Sequence, residues 1–341
     1  MATFKLTTWN IAWMNKWFET DRAVYKPEAW VKEVMGRASE VIKALDSDII
    51  GIQEGPKLKK QMTKFCRDYL DSAYDIYHVR SGAQNNYALV RKGFEVEVKQ
   101  YSENHNIYKY LAKGSQYYTW GEVKKETSKK IPRKPVVLSL TPPGSEDIVE
   151  LMVFHTKSKI SKLRNRSQWE NRDMEAIVDA LQSRQRLSSE LVAIRNYLTH
   201  AILSQRTKGC ILVGDLNEGP NRDIFEEKFL ITNIVDELRG GFHREEALMH
   251  HALTREWLDP DRAKAYTAEF NDATQKGKKV KVLLDHIMVS TSIKGRSAPI
   301  RLVKGSGRIE HEIYEANVKN SGNKKGERPS DHRPVSAEFK Y

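Results

Sequence analysis

Six short polar groups stand at the ends of apolar runs along this 341-residue chain. In order they are Trp9-Asn10, Gln53-Glu54, His155-Thr156-Lys157-Ser158-Lys159, Gly214-Asp215-Leu216-Asn217, Leu284-Asp285-His286 and Ser330-Asp331-His332-Arg333-Pro334. Together they supply carboxylates, amides and histidines, but no cysteine. Such an oxygen-rich set suits a hard divalent ion, Mg2+ or Mn2+, rather than structural zinc. An ion held there would neutralise phosphate oxygens and lower the pKa of a bound water. An Asp could orient or deprotonate that water, and a His could stabilise charge or protonate a leaving oxygen.

Each group alone has a plainer explanation. Asn10 would be a turn residue and Glu54 a surface carboxylate, while Asp215 before Asn217, Gly219 and Pro220 would cap a turn. Asp331-His332 is the hardest to explain structurally, because an Asp-His pair ahead of an apolar strand has little packing use. His286 follows Asp285 directly and should face the other side of its strand, as a structural residue. His243, His250 and His251 lack a metal-binding spacing and read as solvated helix residues. A solvated loop is the competing explanation for Lys157 and Lys159 as phosphate contacts. Trp13, Trp17 and Phe18 either line a groove or pack.

The elements that must position these groups follow from periodicity. Alternating or apolar runs predict strands at Phe4–Trp9, Asp48–Ile52, Tyr87–Val90, Pro135–Leu140, Val149–Phe154, Cys210–Val213, Tyr266–Phe270, Val280–Ser290 and Pro334–Phe339. Between them, Val31, Val34, Met35, Ala38, Val41, Ile42 and Leu45 form a helical stripe, with Pro27 near its start. Leu58, Met62, Phe65, Cys66, Tyr69 and Leu70 form a second stripe, and Met174 to Ala201 carries further helical periodicity. Strands mixed with helices over the whole length imply a layered α/β fold, read as one domain over residues 1–341. Insertions are expected near 157–186, 238–264 and 304–329. The segment from Lys124 to Lys134 holds six basic residues against one acidic and reads as a mobile loop. Asn271 to Lys279 reads as a polar hairpin loop.

Composition narrows the classes. Hydrophobic residues at 39% and charged residues at 30% suit a folded chain and exclude a disordered one. Cys66 and Cys210, the only two cysteines, exclude a disulfide framework and suit a reducing compartment. No apolar run approaches the ~20 residues needed to cross a bilayer. The first residues also lack the basic and apolar segments of a signal peptide. The expectation is a cytoplasmic chain without membrane insertion. Lysine and arginine outnumber aspartate and glutamate 57 to 45, a net charge of +12 that would draw polyanions by a salt-sensitive attraction.

The ordered set of six motifs resembles the endonuclease/exonuclease/phosphatase superfamily, from residue 9 to residue 334. The resemblance implies a four-layer α/β sandwich, two packed mixed β-sheets flanked by helices, and metal-dependent hydrolysis of phosphate esters. It implies Glu54 as principal metal ligand, with Asn10 nearby and Asp331 completing the shell or binding through water. Asp215 would activate the attacking water and Asn217 would hold it or the phosphate. His332, oriented by Asp285, would contact the scissile phosphate, and His155 would be the second histidine of the deoxyribonuclease-like branches. A tyrosine of the region spanning Tyr101, Tyr108, Tyr110, Tyr117 and Tyr118 would reach the phosphate, with Tyr110 the chosen candidate. Aromatics interleaved with Lys109 and Lys113 there, ending at Trp120, also suit base stacking.

Substrate choice turns on details around the motifs. Inositol polyphosphate phosphatases carry other residues where Glu218-Gly219-Pro220 and Leu284-Asp285-His286 stand, and abasic-site endonucleases place Asn where His155 stands. The His155-Thr156-Lys157-Ser158-Lys159 run looks more like the bacterial nucleases of the family. The expected activity is a Mg2+- or Mn2+-dependent nuclease, DNA favoured and RNA second, with a protein partner left open. The competing readings are a phosphatase or phosphodiesterase for a small or lipid-linked ester, and a non-catalytic nucleic-acid-binding scaffold.

Overall fold

Side chains that alternate along a strand place every second residue in one layer, and this chain uses both faces of its strands. In a computed structural model, the strands in chain order are β1 (Thr3–Asn10), β2 (Ile49–Gly55), β3 (Tyr74–His78), β4 (Asn85–Arg91), β5 (Glu97–Gln100), β6 (Ser115–Thr119), β7 (Glu122–Lys129), β8 (Val136–Thr141) and β9 (Val149–His155). They continue as β10 (Gly209–Asp215), β11 (Met249–His251), β12 (Ala268–Asn271), β13 (Lys279–Val282), β14 (Asp285–Ser290), β15 (Arg301–Leu302), β16 (Arg308–Ile309) and β17 (Val335–Lys340). The first five helices are α1 (Ala29–Leu45), α2 (Lys59–Tyr69), α3 (Asn106–Lys113), α4 (Arg166–Glu170) and α5 (Met174–Leu203). The structure describes all residues but 114, 130, 132, 221, 222, 230, 260, 261, 273, 275–278, 296, 320–323 and 325, and not the side chains of 106, 110, 113, 115 and 129.

Two mixed sheets carry the molecule. One runs β15-β17-β1-β2-β4-β3, with β16 also on β17, and the other runs β11-β14-β10-β9-β8-β5. The β1–β2 and β9–β10 pairs are parallel, and their neighbours in the two sheets are antiparallel. Phe4, Leu6, Leu151, Val153, Ile211, Val213, Ile287 and Phe339 form the buried layer between the sheets. Gly51 marks how closely the sheets approach, since a Cβ there would come within 3.0 Å of Val153. On the outer face of the first sheet, Ile50 and Ile52 meet Val31, Val34, Met35 and Val41 of α1. On the other side, Met152, Phe154 and Leu212 meet Leu187, Leu191, Ile194 and Leu198 of α5. The order helix, sheet, sheet, helix is the expected four-layer sandwich. Each fully buried aliphatic side chain in these layers contributes about 1.5–3 kcal/mol.

Three expectations change. The Val280–Ser290 run is two strands, because β13 pairs with β12 in a separate hairpin while β14 joins the second sheet. The loop expected at Lys124 to Lys134 is largely β7, paired with β6 in a hairpin that Gln182 and Gln185 of α5 tie to the helix. His250 and His251 belong to β11, not to a helix.

Candidate functional site

The polar strand ends converge because the strands are paired in register. Asp215 stands opposite His155 on one side and Asp285 on the other, so three successive strands present these side chains in one row. From the facing sheet, Asn10 ends β1 beside Gln53 of β2. Gly214 makes the row tight. Its φ is 146°, and a Cβ at this position would lie 1.8 Å from the Phe154 carbonyl oxygen, so no larger residue fits. The 330–332 segment is fastened to β1: Ser330 Oγ donates to the Asn10 carbonyl at 2.6 Å, and Trp9 Nε1 donates to the His332 carbonyl at 2.9 Å.

Asp215 lies at the centre. Asn10 Nδ2 donates to its Oδ2 at 2.8 Å, and the Asn217 backbone N–H donates to its Oδ1 at 2.8 Å. His155 Nε2 lies 3.4 Å and His332 Nε2 4.0 Å from that same Oδ2. His332 Nδ1 meets Asp285 Oδ2 at 2.7 Å, the hydrogen bond that fixes the imidazole ring. Asp215, Asp285, His155 and His332 are all buried.

Burial sets the charges, and the partners correct them. Burial pushes the Asp215 carboxyl up to about 7, against the pull of the His332 charge. Burial opposes a proton on His332, but Asp285, Asp215 and Asp331 outweigh it and lift the imidazole to about 10. Burial, then the nearby Arg133 and His332, drive His155 well below its ordinary range. At neutral pH the pair is therefore one imidazolium and one neutral imidazole, on either side of the Asp215 carboxyl group.

Glu54 stands one residue past Gln53, with φ at 56°. Its Oε2 accepts from the Trp13 backbone N–H at 2.9 Å and from Gln84 Nε2 at 2.8 Å. Asp331 sits between Ser330 and His332, and its charge reaches His332. Lys159 stands among carboxylates. Its ammonium is engaged by Glu218, by Asp223 at 3.1 Å and by Glu226 at 3.7 Å, because the segment after Asn217 folds three carboxylates over it. Lys157 is half-buried; its backbone N–H donates to Glu190 and its ammonium to the Ser158 carbonyl at 2.7 Å. Tyr110 lies on α3, and its side chain is outside the described residues. Sequence reasoning did not single out Gln84, which clasps Glu54, or Arg133, which donates to the Thr156 carbonyl at 2.7 Å. The basic run holding Arg133 was the available signal for that residue.

The donor set fits a hard cation. Asn10 Oδ1 and Asp285 Oδ1 are buried acceptors without a hydrogen-bond partner among the described residues. Such orphaned oxygens are costly unless something satisfies them. Asp215, Asp285 and His332 also offer ligand-type atoms within 4.8 Å of one another, close enough to share one ion.

Behind the row, His286 faces away. The Leu253 N–H donates to His251 Nδ1 at 3.1 Å, which leaves His251 Nε2 as donor to His286 Nδ1 at 2.9 Å. His286 Nε2 then donates to the Glu218 carbonyl at 2.7 Å. Burial lowers both pKa values, so both rings are neutral.

No family model matches the sequence, and no curated protein matches it. Solved structures do match in fold. TDP2 from C. elegans is 18% identical with a TM-score of 0.53, covering 99% of this chain and 75% of that one. TDP2 from D. rerio, complexed with a single strand DNA product, is 13% identical with a TM-score of 0.52 over 100% of both chains. The endonuclease/exonuclease/phosphatase from Bacteroides vulgatus is 13% identical with a TM-score of 0.50, covering 100% of this chain and 99% of that one. The fold is thus the one these structures share, with the animal and bacterial structures matched alike and no bacterial branch singled out.

Proposed function

We propose that this chain is a divalent-metal-dependent phosphodiesterase, a nuclease for which DNA is favoured over RNA as substrate. The observation that carries the reading is Asp215, buried between a neutral His155 and a cationic His332 that Asp285 holds by a 2.7 Å hydrogen bond. A carboxylate lifted to about 7 is matched to accepting a proton from water near neutral pH.

Asp215 takes the proton of an attacking water while Asn217, whose backbone N–H donates to that carboxylate, holds the water or the phosphate. The new bond forms between water oxygen and phosphorus, in line with the ester bond that breaks. His332, positively charged, contacts the scissile phosphate and offsets its growing negative charge. His155 supports the phosphate or the leaving group from the other side. Bound Mg2+ or Mn2+ supplies charge neutralisation at phosphate oxygens and a more acidic water. Glu54, Asn10 and Asp331 would hold the ion. This set is preferred to Asp285 and His332, whose facing atoms already share a hydrogen and whose imidazolium repels a cation. Nucleic acid is favoured as substrate by the net charge of +12 and by the DNA product in the fish TDP2 structure. A bacterial-nuclease affinity rests on the His155 to Lys159 run alone, and a cytoplasmic location belongs to the same reading.

The test is hydrolysis of supercoiled plasmid, linear duplex, single-stranded DNA and RNA with Mg2+, with Mn2+ and with chelator, beside Asp215→Ala and His332→Ala. Metal-dependent cutting that both variants lose supports the reading. Phosphate release from small esters without cutting of any nucleic acid moves the activity to the small-substrate alternative. Binding without turnover on any ester leaves a scaffold.

A further inference from the structure

Three aromatic residues follow the first strand, and the structure separates them. Trp17 and Phe18 are 1% exposed in the layer under α1, whereas the Trp13 indole is 48% exposed. An exposed tryptophan is not by itself informative, but this one is held. Trp13 has φ 62° and ψ 35°, a left-handed conformation that a bulky side chain adopts only when its surroundings impose it. The restraint is Glu54, whose carboxylate takes the Trp13 backbone N–H at 2.9 Å. Next to it, the Ala12 backbone N–H donates to Ser330 Oγ at 3.3 Å. Trp13 therefore belongs to the same rigid unit as Glu54, three residues from Asn10, so that its Cα lies within ~11 Å of the Asn10 Cα. Lys16 places its ammonium 3.7 Å from the ring centroid, fixing the ring by a cation–π contact on one face.

A rigid, half-exposed indole with one face braced by a cation, beside carboxylates that handle a phosphate ester, is a stacking surface with a charge beside it. We propose that Trp13 is the platform on which an unpaired nucleobase stacks, carried by the nucleotide at or next to the scissile phosphate. The substrate is then single-stranded nucleic acid, with Lys16 close enough to meet an adjoining phosphate. Stacking on an aromatic ring is sequence-tolerant, because every base has a π face. Trp13 is a substrate-positioning residue in this scheme, and its main chain, not its ring, serves Glu54. The inference rests on the nuclease reading above.

The test uses the full chain and single-stranded oligonucleotides carrying 2-aminopurine at successive positions, with 2-aminopurine mononucleotide as a second probe. In the Asp215→Ala background, binding is expected to quench the fluorophore at one position. Trp13→Ala should abolish that quenching and weaken oligonucleotide affinity by roughly tenfold, while Trp13→Phe keeps most of both. Equal quenching of the mononucleotide at comparable concentration would make the ligand a free nucleotide and overturn the single-strand assignment. Unchanged quenching and affinity in Trp13→Ala overturn the platform itself. In the active protein, Trp13→Ala should raise KM for a single-stranded oligonucleotide by roughly tenfold with kcat little changed, and Trp13→Phe should restore most of the loss. A fall in kcat with KM unchanged would show the indole acting through Glu54 and would also overturn the proposal. If the wild-type protein hydrolyses no ester, the enzymatic reading fails, while the quenching still reports on stacking by itself.

Discussion

Asp285 and His286 are adjacent on β14 and face opposite ways, and each meets a second histidine. On the front, Asp285 holds His332 as a cation beside Asp215, and His155 Nδ1, Asp285 Oδ1 and Asn10 Oδ1 keep no partner among the described residues. On the back, His286 and His251 form a relay from the Leu253 N–H to the Glu218 carbonyl, with each ring nitrogen bonded and both rings neutral. Residue types, burial and even sequence position are nearly the same. The difference is valence: the back pair is closed, while the front pair retains buried polar atoms without a partner among the described residues.

The largest test of that contrast is Asp215→Asn, which keeps shape and removes the base. Its kcat should fall by ~10²–10⁴-fold with the thermal transition retained; turnover near the wild-type level would collapse the distinction between the two faces. Glu54→Gln comes next. The metal concentration for half-maximal activity should rise at least ~10-fold, as loss of even an outer partner of a ligand costs that much. A metal titration that does not move would transfer the ion to the Asp215, Asp285 and His332 set.

The pH profile sharpens the comparison on the front face. Asp215 must be unprotonated to accept a proton, so kcat/KM should rise with pH through about 7. His332 must be protonated to offset phosphate charge, so the rate should fall through about 10. Asp285→Asn removes the anion nearest the imidazolium, which lowers the His332 pKa and draws the falling limb toward neutral pH. A limb that stays in place would dissociate His332 from it. The smallest effect on rate belongs to the back face. His286→Ala should cost about 1–3 kcal/mol of stability by orphaning the Glu218 carbonyl and a His251 N–H, with kcat for the folded protein little changed. Denaturant unfolding beside turnover of the folded fraction checks both halves.

Much of the front face was legible because strand periodicity and short motifs are local. The alternation ending at Asn10, His155 and Asp215 predicts strands, and the register sets His155 beside Asp215 while Asn10 donates to Asp215 from the facing sheet. His286 was read as structural from the same alternation. His251 was not, because β11 is three residues long and exists as a strand only through pairing with β14. Lys159 shows the other limit: no local pattern announces that Glu218, Asp223 and Glu226, about sixty residues onward, will close around its ammonium. The break in Val280–Ser290 is likewise a tertiary event, since both halves are good strand sequence and only their partners differ. Trp13 and Trp17 are indistinguishable by type, and burial alone parts them.

The pairing of β1 with β17, Thr3 against Lys340, has a consequence for synthesis. Asn10 leaves the ribosome more than three hundred residues before His332, yet Ser330 joins them by hydrogen bonds to both. At ~5–20 residues per second, elongation between them takes some tens of seconds. Throughout most of that interval a nascent chain carries Asn10 and Glu54, and later Asp215, but no imidazolium to complete them. On the proposed reading, hydrolytic competence therefore waits for the segment that carries His332 and for β17, which closes onto β1.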